Sequence, residues 1–205
     1  MNRNYATTHL TYSALLAATG RKEEAITEAE RAMEIDPLSI PINNILGEMY
    51  MFAGKWDLAI EQYRKTIEMD PNVWLSHENL AITFEQIGKH LEAAVEYLKA
   101  QAASGMDPGI LAQLREAHRA FGLNGFRRKR LELELARWNG WHLDTFHMAA
   151  HFAQLGELDQ ALVWLEKAYD ARSGGMVWMK LYPYFKNLYT DGSFRDLVRR
   201  VGLPQ

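Results

Sequence analysis

The sequence predicts an all-α fold of stacked antiparallel helix pairs, and three observations carry that expectation. Landmarks recur 34 residues apart: Pro37 and Pro71, each preceded by Asp; Gly20, Gly54 and Gly88; Ala25, Ala59 and Ala93. Between each Gly and the next Pro the apolar residues fall at helical spacing, as Ala25, Ile26, Ala29, Ala32 and Met33 do in the first unit and Leu58, Ala59, Tyr63 and Ile67 in the second. The 205 residues are 48% hydrophobic, enough for a sizeable core. A fixed period of about 20 to 50 residues overrides a reading as one globule around a single centre.

Each unit justifies its elements in order. Two helices can approach closely only where small side chains line the contact, and Ser13, Gly47 and Ala81 stand at that place on the first helices, with Ala25, Ala59 and Ala93 on the second. Gly20, Gly54 and Gly88 end the first helices where a left-handed residue is needed. Asp-Pro ends the second helices, because proline has no amide hydrogen and restricts the residue before it. The units fall at about 6–39, 40–73 and 74–107, the third having Gly105 where Pro is expected and Pro108 slightly later. Residues 108–141 read as a degenerate pair, GILAQLREAHRAFG then NGFRRKRLELELARW, with Gly125 providing the close approach that the regular Ala gives elsewhere. A further unit at about 142–175 carries Ala149, Phe152, Gly156, Ala161, Leu165 and Ala168. Gly174-Gly175 reads as a helix stop, and residues 176–205 as a closing segment with short helices near 184–189 and 193–201. The whole reads as one array over 1–205.

The 34-residue unit, small at its eighth place, with Tyr50 or Phe84 at the eleventh, then Gly, Ala, Tyr63 or Tyr97, and Pro, resembles the tetratricopeptide repeat (TPR). That resemblance implies a right-handed TPR solenoid with a C-terminal helical cap, a non-enzymatic protein-interaction scaffold whose first helices line a concave groove. The closing segment is similar to the end of TPR regions at the C-termini of bacterial multidomain regulators, winged-helix transcription factors and serine/threonine kinases among them. Tyr182-Pro183-Tyr184-Phe185, Asp191-Gly192-Ser193-Phe194 and Leu197-Val198-Arg199-Arg200-Val201-Gly202-Leu203 carry that likeness. It implies the docking or sensory part of a bacterial signalling or transcription regulator.

Mapped onto the groove, the first helices of the second and third units offer Asn44, Glu48, Met51 and Phe52, then Glu78, Asn79, Ile82, Glu85 and Gln86; the last regular unit offers Phe146 and His147. This lining is apolar and acidic. A groove that clamps a C-terminal carboxylate, as in chaperone cofactors, needs Lys or Arg on these helices, and the first three units supply none. The expected partner is therefore an extended or helical peptide with apolar anchors and a basic residue facing Glu48, Glu78 or Glu85.

Composition narrows the remaining classes. A formal charge of −3 gives no global attraction to nucleic acid, although residues 1–106 carry 9 basic against 15 acidic residues and 107–205 carry 14 against 11. Without Cys there is no disulfide, thiolate metal site or thiol nucleophile. The first twenty residues lack the basic-then-apolar order of a signal peptide and no run is long enough to span a bilayer, so a cytoplasmic location is expected. His147 and His151, spaced i, i+4 with His142 and Asp144 nearby, could present two imidazoles on one face, but Met148 follows the first where a zinc hydrolase has Glu; two surface or groove histidines on a repeat helix are the expectation. Arg127-Arg128-Lys129-Arg130, followed by Glu132 and Glu134, reads as a solvated helix face with no aromatics interleaved for base stacking. No catalytic set, metal site or cofactor is expected. The first unit begins by residue 6 without a polar cap, so either a fused upstream domain or a second copy is expected on the face bearing Tyr5, Leu10, Tyr12, Leu15 and Leu16. Self-association through that helix, as a structural or assembly protein, is the alternative function.

Overall fold

The computed structural model describes residues 3–137 and 144–204, and among these every regular element is helical. Trp138, Trp141 and His142 lie outside the described residues. The chain divides into two compact units, Met1–Glu116 and Ala117–Gln205, with the boundary inside the degenerate stretch.

The first unit holds α1 (Arg3–Ala18), α2 (Lys22–Ile35), α3 (Ile40–Phe52), α4 (Trp56–Met69), α5 (Trp74–Gln86) and α6 (His90–Ala103). Each odd helix packs on the even one after it; α2 also lies on α3 and α4 on α5, while α1 touches α3 and α3 touches α5 along the other edge. The period is visible in the turns. Gly54 takes φ +75°, its N–H donates to the Met51 carbonyl (3.0 Å) and that of Lys55 to Tyr50 (2.9 Å). This pair of bonds satisfies the last carbonyls of α3 and requires a left-handed residue between them. Gly20 and Gly88 repeat it one unit away on either side.

The small positions hold the pairs together in different ways. Ser13 Oγ donates to the Ala25 carbonyl at 2.8 Å, fixing α1 to α2. Gly47 faces the fully buried ring of Tyr63, and a Cβ there would stand 2.5 Å from Cε1.

A polar clasp recurs at the same register of all three repeats. His9 Nδ1 meets Glu28 Oε2 at 2.5 Å, Gln62 Nε2 donates to Asn43 Oδ1 at 2.7 Å, and His77 Nδ1 meets Glu96 Oε2 at 2.6 Å. Asn43 Nδ2 also donates to the Pro37 carbonyl (2.8 Å), and His77 Nε2 stands 3.2 Å from the equivalent carbonyl of Pro71. The first helix is thus tied both to its own partner and to the turn before it. Burial works against the Glu96 carboxylate, but the bonds from His77 and Lys99 outweigh it and hold its pKa below the ordinary value. That depression adds stability above the ordinary carboxylate range, and the contribution is lost as pH falls below it. Glu96→Gln alone is expected to cost about 1–2 kcal/mol at neutral pH. The pair His77→Asn with Glu96→Gln, which copies the second repeat's clasp into the third, should recover most of that loss in urea melts.

The second unit contains the rest of α7 (Pro108–Arg137), α8 (Thr145–Gln154), α9 (Leu158–Asp170), two 3₁₀ turns at Gly174–Trp178 and Pro183–Leu188, and α10 (Gly192–Val201). α7 breaks at Phe121 and Gly122 (φ +63°), giving the two helices read from the sequence. Gly125 is the close approach: a Cβ there would stand 2.4 Å from the Ala117 carbonyl oxygen. The stop after α9 differs from the expectation at Gly174-Gly175. It lies at Arg172, whose φ of +53° turns the chain two residues earlier, and a 3₁₀ turn begins at Gly174. Gly175 instead makes room for Phe146, whose ring would meet a Cβ at 2.5 Å. Phe146, Phe185, Phe194 and Leu197 form the core on which the closing segment packs, with Phe146 and Phe185 edge to face at 5.5 Å.

Candidate functional site

The inner edge of the first unit is formed where α1, α3 and α5 meet, and its chemistry centres on Glu48. Asn44, one turn earlier on α3, donates through Nδ2 to Glu48 Oε1 at 3.2 Å, and Asn79 reaches the same oxygen from α5 at 2.8 Å. Ser76 Oγ donates to Asn44 Oδ1 at 2.9 Å, so the amide is oriented with its NH₂ toward the carboxylate. The result is a polar ladder across two repeats, ending on one acid. Although part of the residue remains open, its carboxyl is ringed by protein; burial pushes the Glu48 pKa up to about 7 against the two amide bonds that favour ionisation. Neutral amides do not compensate a buried negative charge as a cation would.

The eleven residues expected on the groove are placed unequally. Asn44, Met51, Phe52, Glu78, Asn79 and Ile82 are buried, Met51 and Asn79 to 1% exposure. Direct packing of α1 on α3 and α3 on α5 draws their side chains into the fold. Glu48 and Glu85 are half-buried, and Gln86 is exposed. In the second unit Phe146 is buried beneath Tyr182, Phe185 and Gly175. His147 remains open, its Nδ1 2.9 Å from Asp144 Oδ2. Sequence reasoning missed Ser76: it lies 32 residues from Asn44, two short of the 34-residue period, so the repeat register alone does not pair them.

This repeating geometry agrees with comparison to known proteins. Sequence profiles described as tetratricopeptide repeat match residues 6–37 and 46–107. Residues 6–37 and 46–107 are tetratricopeptide repeats. It is 31% identical over 75 residues to small glutamine-rich tetratricopeptide repeat-containing protein 2 of Mycosarcoma maydis, covering 37% of this chain and 21% of that one. It is 32% identical over 94 residues to Hsp70-Hsp90 organizing protein 2 of Arabidopsis thaliana, covering 44% of this chain and 16% of the relative. The match therefore spans about a fifth of those relatives or less.

Elsewhere the chain uses its charged residues internally. His147 and His151 have separate partners: His151 is buried with Nε2 2.9 Å from Glu134 Oε2, while the exposed His147 stays with Asp144, the N-cap of α8. Burial alone would raise the Glu134 pKa, but the bond from His151 and the charges of His151 and Arg130 hold it down at about 2. The basic run is not simply a solvated face. Arg130 is buried against Glu134 (3.2 Å), Lys129 pairs with Glu132 (2.7 Å), and Arg128 reaches Glu157 (3.5 Å). Leu16, expected on an open face of α1, is buried, and Leu10 is half-buried. No helix among the described residues is long and apolar enough to cross a membrane.

Proposed function

We propose that the chain is a non-enzymatic protein-interaction scaffold that takes a peptide segment of a partner along the inner edge of its first unit, with a Lys or Arg of that peptide seated at Glu48. The observation that carries this reading is the cost of Glu48: an acid whose pKa stands at about 7, held by Asn44 and Asn79, is a poor device for stability and a good one for receiving a cation. Glu85 and Gln86 flank the same edge and would meet the rest of the segment. Met51, Phe52 and Ile82 would shape the floor from below. The likeness of the closing segment to the ends of TPR regions in bacterial multidomain regulators supports a role as the docking or sensory part of such a regulator.

One relative is named an Hsp70-Hsp90 organizing protein. Binding a chaperone's terminal carboxylate is not the reading favoured for this chain, because α3 and α5 contain no Lys or Arg and their centre is an acid. Peptides selected from a random display library should be enriched in one Lys or Arg next to apolar residues. Their affinity should rise between about pH 6 and about pH 8, because a cation binds the ionised acid and displaces its proton. Glu48→Gln should weaken them at least tenfold, a loss of about 1.4 kcal/mol, and remove the pH dependence. Selection of acidic peptides, or of peptides indifferent to Glu48→Gln and Glu85→Lys, would overturn the reading.

A further inference from the structure

The junction of α2 with α3 and that of α4 with α5 lie one 34-residue period apart, so their side chains can be compared place by place. At the first, Tyr50 donates its hydroxyl to Glu30 Oε1 (2.8 Å) and Lys55 pairs with Glu23 Oε2 (2.7 Å), which ties the end of α3 to α2 at two points. At the second, the same places hold Phe84, Arg64, Lys89 and Asp57. The hydroxyl is gone, and the acceptor has become a guanidinium. Arg64 Cζ and Lys89 Nζ stand 6.0 and 5.9 Å from the centre of the Phe84 ring, and all three line a cleft of about 440 Å³ with Asp57 and Glu68. Glu61, the remaining acid on its wall, is paired with Lys65 (2.7 Å). Among the described residues no carboxylate pairs with Arg64 or Lys89, although Lys55 has such a partner one repeat earlier.

We propose that this cleft binds an Asp or Glu side chain of a partner polypeptide, its carboxylate received by Arg64 and Lys89 beside the Phe84 ring. The repeat specifies the chemistry. Where the first junction holds a carboxylate and the hydroxyl that satisfies it, the second holds only donors, and guanidinium and ammonium can accept nothing from each other. The ring attracts both cations and draws two like charges into one cleft without neutralising either. A single carboxylate relieves that arrangement. A phosphate dianion fits less well, because Asp57 and Glu68 lie on the same wall and repel its second charge. Ile60 and Phe84, both buried, supply an apolar floor for the methylenes of the incoming side chain.

This inference is independent of the peptide edge at Glu48, which selects a cation. The probe is the blocked peptide acetyl-Gly-Leu-Glu-Gly-amide, which has no Lys or Arg to engage that edge. It is added to the full chain in nuclear magnetic resonance titrations beside the same peptide with Gln for Glu, and beside inorganic phosphate. The Glu peptide should shift the Arg64 Nε–H and Phe84 ring resonances saturably and bind at least about fivefold more tightly than either comparator. Arg64→Gln, at an exposed position, should weaken it by at least about fivefold. Arg64→Glu with Phe84→Tyr, which copies the first junction into the second, should abolish binding and leave the circular dichroism unchanged and the melting midpoint no lower. No saturable shift, equal binding of the Gln peptide, or binding that survives both variants overturns the proposal. So does tighter binding of phosphate, because the ligand is then a phosphorylated group. A concentration-dependent dimer that Arg64→Gln dissociates in sedimentation velocity also overturns it, because the occupant is then a second copy.

Discussion

Replacing Glu48 by Gln is expected to stabilise the protein at about pH 8 by about 2–3 kcal/mol, raising its melting midpoint by about 6 °C, and to change nothing at acid pH. The sign follows from the direction of the shift. The Glu48 pKa stands at about 7 when folded against an ordinary value of 4.5, so folding favours the protonated acid. Its contribution is complete below the ordinary value and is lost as pH rises through about 7, at about 1.4 kcal/mol for each unit of difference. Gln keeps a carbonyl oxygen for Asn44 and Asn79 and carries no charge to desolvate. Thermal melts at about pH 4 and about pH 8 separate this account from simple repacking, which would shift both equally. A destabilised variant at alkaline pH would mean that the carboxylate is paired with a cation and that its value for a partner has been misread.

The expected gain bears directly on function. A residue whose removal strengthens the fold at working pH is not retained for the fold, and the same substitution is expected to weaken peptide binding. Stability and capture should therefore move in opposite directions in a single variant. A purely structural residue would move them together.

How much of this was legible in the sequence depends on the distance over which each feature is decided. The helix pairs, Gly54 and its equivalents, Ser13 against Ala25 and the close approach at Gly125 are set by local conformation and small volume, and the period displays them directly. The clasps were equally present in the period, as His9, Asn43 and His77 with Glu28, Gln62 and Glu96, yet unlike residue types hid a shared position. Burial along the inner edge was not legible, because it depends on how closely α1, α3 and α5 approach, and that spacing is set by side chains on several helices at once. Phe146 shows the same limit: the residues that cover it come from a closing segment with no period to align. Arg172 misled for a different reason. A left-handed turn favours glycine, two glycines stood nearby, and the chain turned at an arginine and used Gly175 for clearance.

Gly47→Ala should cost about 2 kcal/mol, even though alanine in a helix interior is favoured over glycine by about 1 kcal/mol. The added Cβ would stand 2.5 Å from Tyr63 Cε1 and 2.8 Å from Cδ1, and Tyr63 has no exposed surface into which its ring can turn. Either the ring leaves its rotamer or α3 moves away from α4. Gly47→Val, with a branched side chain at the same point, should cost about 3–4 kcal/mol and broaden the urea transition as the stack loses cooperativity. Tyr63→Leu supplies the control: if the contact is the cause, Gly47→Ala should be milder in that background by at least about 1 kcal/mol. Full additivity would place the loss elsewhere. Since Glu48 is the next residue along α3, withdrawal of the helix also stretches its bonds to Asn79 and admits water to the carboxyl. The pKa of Glu48 in Gly47→Ala should accordingly fall from about 7 toward the ordinary range, a change that nuclear magnetic resonance titration of the side-chain carboxyl carbon would register in the folded protein.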